Sequence, residues 1–164
     1  MKEIREAAEA YHANLPQNEK TEATKILKSM DSDGDGKINL KEFIDFVNKK
    51  KSGPTLRYDF ESLFKELDKD EDGTLEFEDV LTLFYLYKTG RFLICGGCEA
   101  FIKGIYFTCV DCFYDADNSF DLCCSCYRNS FFLHNDDHTT FVDNYAFVIR
   151  CIRMMEKNNK IIHH

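Results

Sequence analysis

The chain has no tryptophan, two prolines, no cysteine before Cys95 and no excess of positive charge. Without tryptophan, the 15 phenylalanines and 8 tyrosines must supply the aromatic core. Pro16 ends or interrupts the first helix, and Pro54 stands in a linker. No run of about 18 apolar residues occurs, so no membrane span is expected. The net charge is −8, with acidic residues gathered in two loops, whereas a nucleic-acid partner calls for a basic face. The start, Met1-Lys2-Glu3-Ile4-Arg5-Glu6, is charged and helical, unlike a signal peptide, and Lys2 excludes an N-myristoylation start. No acid, base and nucleophile stand together as a catalytic set, and Cys151 has no nearby histidine or aspartate in sequence. A binding protein is therefore expected, not an enzyme.

What is present centres on two twelve-residue loops, Asp31–Glu42 and Asp68–Asp79, which begin 37 residues apart. Calcium takes six to eight oxygens. In the first loop Asp31, Asp33 and Asp35 offer carboxylates from alternate positions, and Gly36 permits the sharp turn. Lys37 offers its carbonyl, Asn39 stands where a ligand acts through water, and Glu42 can close the shell with both oxygens. Asp68, Asp70, Asp72, Thr74 and Glu76 repeat the pattern, with Asp79 as a shorter closing ligand. Apolar stripes flank both loops: Ala23, Ile26, Leu27 and Met30, then Phe43, Phe46 and Val47; Phe60, Leu63, Phe64 and Leu67, then Phe77, Val80, Leu81 and Phe84. Ile38 and Leu75, each eighth in its loop, can pair as a short β-bridge. These loops resemble a pair of EF-hands. The resemblance implies two bound calcium ions and a four-helix lobe in which neither hand buries its stripe alone. Such a lobe either opens on calcium to expose an apolar groove or binds without opening. A preceding helix, carrying Ile4, Ala8, Tyr11 and Leu15, is expected to pack on the first hand.

The composition changes at Gly90-Arg91. Six of the eight cysteines form three CxxC pairs: Cys95 with Cys98, Cys109 with Cys112, and Cys123 with Cys126. His134 and His138 follow. With no signal peptide expected, such pairs read as metal ligands in a reducing compartment, the cytosol or nucleus. Zinc takes four ligands, so eight make two closed structural sites with no position for a catalytic water. Spacing leaves open whether neighbouring or alternate pairs share an ion. Cys124 and Cys151 fall outside the pattern and read as packed thiols.

Three CxxC pairs followed by two histidines, with Gly104–Cys109 and Phe120–Cys123 leading into the second and third pairs, resemble a ZZ-type zinc finger. That family is cross-braced. The resemblance implies one zinc on Cys95, Cys98, Cys123 and Cys126 and another on Cys109, Cys112, His134 and His138. A RING finger would want an interleaved middle ligand and a final CxxC pair. Some ZZ fingers grip a peptide N-terminus with acidic residues. Here Gly96 and Ser119 stand at two of those positions, only Asp121 matches, Asp115 and Asp117 lie nearby, and the segment Phe113–Ser119 is long for the family. A general peptide-binding role is implied. The closest resemblance is to small plant EF-hand proteins with a ZZ finger.

The expected fold is mainly α: a paired EF-hand four-helix lobe, then a small zinc-stapled cross-brace finger with short β-strands. Residues 1–17 form an N-terminal helix, 18–90 the EF-hand pair, 91–143 the finger and 144–164 a basic extension. In the extension Tyr145, Val148, Ile149, Ile152 and Met155 have helical spacing, while Phe147, Ile149 and Cys151 alternate like a strand. The expected function is a calcium sensor and adaptor whose finger docks a protein or peptide partner. A calcium or magnesium buffer with a purely structural finger is the alternative, and a ubiquitin-pathway component a further one.

Overall fold

The computed structural model describes residues 1–50, 60–113, 119–135 and 137–162. The linker from Lys51 through Pro54, Asp115, Asp117, the side chain of Met155, and His163 and His164 lie outside what is described. The chain divides into two compact units, Met1–Phe92 and Leu93 onward.

The first unit is helical. Helix α1 (Lys2–Ala13) ends where the Asn14 amide turns back to the carbonyls of Tyr11 and His12. Pro16 then takes an extended conformation and serves as the N-cap of α2 (Gln17–Met30). The first loop leads through strand β1 (Ile38–Asn39) into α3 (Leu40–Lys50). Helix α4 (Phe60–Leu67), strand β2 (Thr74–Leu75) and α5 (Phe77–Lys88) repeat that order. The two loops are tied by antiparallel pairing of β1 with β2, with Ile38 opposite Leu75. Ile38, Phe43, Leu63, Leu67, Leu75, Val80 and Leu86 are fully buried, and Phe43 meets Phe64 edge to face at 5.7 Å between ring centres. Burying each such side chain is worth about 1.5–3 kcal/mol, which is what holds four short helices round two polar loops. Phe77, expected on the inward stripe of α5, is exposed and touches the edge of His12.

The placement of α1 corrects an expectation. It packs chiefly on α5, the helix leaving the second loop, and meets the first hand in a cluster that includes Ala23 and Ile26 of α2. Ile4 and Ala8 are buried, Tyr11 meets Tyr85 edge to face at 5.4 Å, and Tyr11 and Leu15 join a cluster with Ala23, Leu81 and Phe84. The physical reason is that α5 is apolar over more than its inward stripe: Val80, Leu81, Leu83, Phe84 and Leu86 are all buried, and one side of it needs a cover that the four-helix lobe does not provide.

The second unit is built on a three-stranded antiparallel sheet with β3 (Tyr106–Cys109) between β4 (Asp121–Cys123) and β5 (Phe141–Asp143). The register sets Tyr106 against Cys123 and Cys109 against Phe141. Short helices α6 (Val110–Phe113) and α7 (Cys124–Arg128) follow β3 and β4, and α8 (Asn144–Ile162) follows β5. The helical period prevails in the C-terminal stretch: Phe147, Ile149 and Cys151, which alternate like a strand, all lie in α8, and the strand ends before them at Asp143. The interior holds Cys95, Ile102, Leu122 and Cys126, wrapped by Leu93, Phe120, Phe132 and Phe141 among others. Phe147 anchors α8, buried with its ring 4.3 Å from that of Phe113. Tyr145, Val148, Ile149 and Ile152 on the same helix are exposed. Among the described residues no helix is long and apolar enough to cross a membrane.

Candidate metal centres

The first loop turns on backbone that only glycine takes without strain, with Gly34 at φ 79° and Gly36 at φ 86°. Both glycine amides donate to Asp31, at 2.6 and 3.0 Å. Glu42 starts α3 in a reciprocal cap. The Asn39 amide donates to its Oε2 at 3.0 Å, and its own amide donates to Asn39 Oδ1 at 3.1 Å. Its Oε1 accepts from both the amide and the hydroxyl of Ser32, each at 2.8 Å. The Asn39 amide and then the Ser32 donors hold the buried Glu42 carboxyl below its ordinary range. Oxygens of Asp31, Asp33 and Glu42 come within 4.8 Å of one another. Asp35 is outside that group; it accepts from the Lys37 amide at 2.7 Å.

In the second loop the gathered carboxylates are Asp68, Asp70 and Asp72. Gly73, at φ 85°, donates its amide to Asp68 Oδ2 at 2.9 Å. The other oxygen, Asp68 Oδ1, is buried and has no hydrogen-bond partner among the described residues. A buried carboxylate oxygen without a donor is costly, and a cation at the gathered oxygens would satisfy it. Glu71 takes φ 60° where the first loop has Gly34, so the second loop also carries backbone strain of about 1 kcal/mol. Asp72 accepts from the hydroxyl of Thr74 at 2.6 Å and its amide at 2.8 Å. The Thr74 hydroxyl first, then the Lys37 ammonium, brings Asp72 down to about 2. Lys37, expected to offer its carbonyl, sends its ammonium across to the other loop, 3.0 Å from Asp72 and 3.2 Å from Glu76.

Asp79 is not one of the three gathered carboxylates of its loop, although Asp68 is near enough for its charge to act on it. Its Oδ2 accepts from the Glu76 amide at 3.1 Å and its Oδ1 from Arg5 at 2.6 Å. Burial pushes its carboxyl up, against the pull of the Glu76 amide and Arg5. The second nitrogen of Arg5 donates to the carbonyls of Glu66 and Leu67, at 2.8 and 2.9 Å.

The second unit brings its eight expected ligands into two groups, Cys95, Cys98, Cys123 and Cys126, and Cys109, Cys112, His134 and His138, with one donor atom of each within 4.8 Å of the others. The groups interleave along the chain because β3 and β4 run antiparallel, which sets Cys109 and Cys123 at opposite ends of the pair, while the first knuckle docks on β4, the Gly96 amide donating to the Asp121 carbonyl at 2.8 Å and the Cys123 amide to Cys95 Sγ at 3.3 Å. Around Cys95, burial raises the thiol, but the amides of Cys123, Cys98 and Gly97 and the Cys126 thiol outweigh it and hold Cys95 to about 7. Cys126 is pushed up by burial and by its neighbouring thiols. In the second group Cys112 lies 3.4 Å from His134 Nε2 and 3.2 Å from His138 Nδ1. Phe120 stacks on His134 at 4.0 Å between ring centres. Burial, then the His138 charge, keeps His134 toward the neutral form that ligates metal. Four soft or borderline donors in a closed group suit zinc, with two thiolates from each knuckle. No disulfide joins the cysteines. Cys124 is half-buried and donates its thiol to the Ile105 carbonyl, and Cys151 is half-buried too; neither belongs to a ligand group.

Residues 20–85 match the family model of the EF-hand domain pair. The EF-hand pair runs from α2 to α5, and calcium is the ion that such a pair implies. Comparison with curated proteins and with solved structures gives no match. Helix α1 lies before the matched residues, yet it supplies the side chain that engages the last residue of the second EF-hand loop. Arg5 had no signal in the sequence: it is one charged residue on an amphipathic helix. Lys37 was singled out for its backbone alone, and its ammonium could be placed only once the two EF-hand loops were paired.

Proposed function

We propose that the chain is a calcium-responsive adaptor, with two EF-hand loops that sense calcium and a ZZ-like finger, held by two zinc ions, that docks a protein or peptide. The observation that carries the calcium half is the gathering of Asp31, Asp33 and the closing Glu42 at one point, in a pair whose loops are joined through Ile38 and Leu75. The unpartnered Asp68 oxygen supports a cation at the second loop as well. Asp31, Asp33, Asp35, Asn39, Glu42 and the Lys37 carbonyl would hold the first ion, and Asp68, Asp70, Asp72, Glu76 and the Thr74 carbonyl the second, with Asp79 available only on leaving Arg5. Calcium, when bound, supplies the charge that lets these carboxylates converge. The zinc groups would be structural, since each is closed by four protein ligands. We read the protein as non-enzymatic and place it in the cytosol or nucleus.

A buffer is the second reading, and the cover that α1 gives to α5 favours it, because a face already covered does not open freely. A calcium titration followed with an apolar dye separates the two. The sensor reading expects dye fluorescence to rise with calcium in the wild type and not in Glu42→Gln. Calcium uptake with flat dye fluorescence would establish the buffer. A pull-down with and without a calcium chelator then tests the adaptor role, which expects partners retained in one condition only.

A further inference from the structure

The two loops differ in what holds their closing carboxylate. In the first, Glu42 is gathered with Asp31 and Asp33. In the second, Asp79 is held by Arg5, 74 residues away in sequence, in an ion pair whose side chains are 13% and 9% exposed. The same guanidinium reaches the carbonyls of Glu66 and Leu67 at the C-terminal end of α4. These carbonyls precede the loop and Asp79 lies in the first turn of the helix after it, so one cation clamps both ends of the second loop. Charge on the last carbonyls of a helix and on a partly buried carboxylate is favourable, and guanidinium geometry serves both at once. Meanwhile Asp68 Oδ1 stays buried and unpartnered inside the same loop.

We propose that Arg5 is an internal cation that competes with a bound ion for Asp79, so that filling of the second loop and docking of α1 on α5 are antagonistic. This inference rests on the reading of Asp68–Asp79 as a cation site. Asp79 can turn to the gathered carboxylates only by leaving Arg5. Arg5 then loses its side-chain partner among the described residues, and α1 is held by its bonds to the Glu66 and Leu67 carbonyls and its apolar contacts, Ile4, Ala8 and Tyr11 against α5 and its neighbours. Coupling of this kind is reciprocal: whatever detaches α1 tightens the second loop, and whatever fills the loop loosens α1. The consequence is a calcium-dependent release of the N-terminal helix, uncovering the face of α5 that Tyr11 and Leu15 share with Ala23, Leu81 and Phe84.

The experiment uses the full zinc-loaded chain with Glu42→Gln, which weakens the first loop so that calorimetry reads the second. Adding Arg5→Gln should tighten calcium binding about tenfold, a typical coupling between linked sites. Equal or weaker binding in the double variant overturns the competition. Absence of binding in both proteins overturns the cation reading of the second loop, and the proposal with it; the two failures are distinct. Hydrogen exchange on the Arg5-intact protein decides the matter should Arg5→Gln fail to fold. Calcium should lower amide protection in α1, and Asp68→Asn should abolish that response. Undiminished protection of α1 when the second loop fills refutes the release.

Discussion

The pairing of Ile38 with Leu75 lies in the short β-ladder that links the two calcium loops, and its side chains carry a calculable load. Both are fully buried and directly opposite in register. Replacing either by alanine removes three carbons, about 2.4 kcal/mol at roughly 0.8 kcal/mol per buried methylene. A residual cavity raises the expected cost to about 3–4 kcal/mol for each single variant. Because the two side chains face each other, the second truncation enlarges a cavity already made. The double variant should therefore cost about 0.5–1 kcal/mol less than the sum of the singles. A domain of this size has about 5–15 kcal/mol of stability in all, so either single change brings the calcium-free lobe near its limit. Urea unfolding followed through methyl NMR signals of Val80 and Leu81 reads this unit without interference from the finger. The same variants should weaken calcium binding at both loops, since each loop relies on the other's strand. A cost below about 1 kcal/mol for Ile38→Ala, or weakening confined to the mutated loop, would refute the view that this pair ties the loops together.

Three further outcomes are expected. Losing Glu42 (Glu42→Gln) should cost more calcium affinity than losing Asp79 (Asp79→Ala), since Asp79 is one methylene shorter and already engaged by Arg5; calorimetry giving the reverse order would sink this ranking. Elemental analysis should find two zinc ions per chain, and after cobalt substitution Cys95→Ser and Cys123→Ser should disturb the same spectral component, whereas grouping of Cys95 with Cys109 would contradict the interleaved arrangement. Gly97→Ala should loosen the first zinc group, because an added Cβ would stand 2.2 Å from the Phe131 carbonyl oxygen and 2.9 Å from Cys126 Sγ; a thermal midpoint and zinc content equal to wild type would show that this turn has room to spare.

Much of the architecture was legible because it is local. Ligands spaced at alternate residues within twelve, and glycines where the chain must turn left-handed, need no distant partner to be recognised. Helical stripes before and after each loop likewise announced α2 to α5, and the CxxC pairs announced two four-ligand groups. The C-terminal stretch was ambiguous because its apolar residues satisfy both periods at once. The helix prevails: Asp143 Oδ1 accepts from the amides of Tyr145 and Ala146 and starts α8, and Phe147 anchors it against Phe113.

The sequence by itself determined which residues are oxygen, sulfur and nitrogen donors and in what short-range order. Donor chemistry belongs to the side chain, and its spacing to the covalent chain. Tertiary structure decided which donors meet. The antiparallel pairing of β3 with β4 parts the second and third cysteine knuckles, docking of Gly96 on Asp121 joins the first to the third, and pairing of β1 with β2 sends Lys37 across to Asp72. It also decided where α1 goes. An amphipathic stripe says that a helix will be covered and does not say by what; that is fixed by the unsatisfied apolar side of α5 and by the charge of Asp79 beside it. Arg5 and Asp79 are 74 residues apart and are brought together only by that packing, and so the contact that distinguishes the second loop from the first could be seen only in the folded molecule.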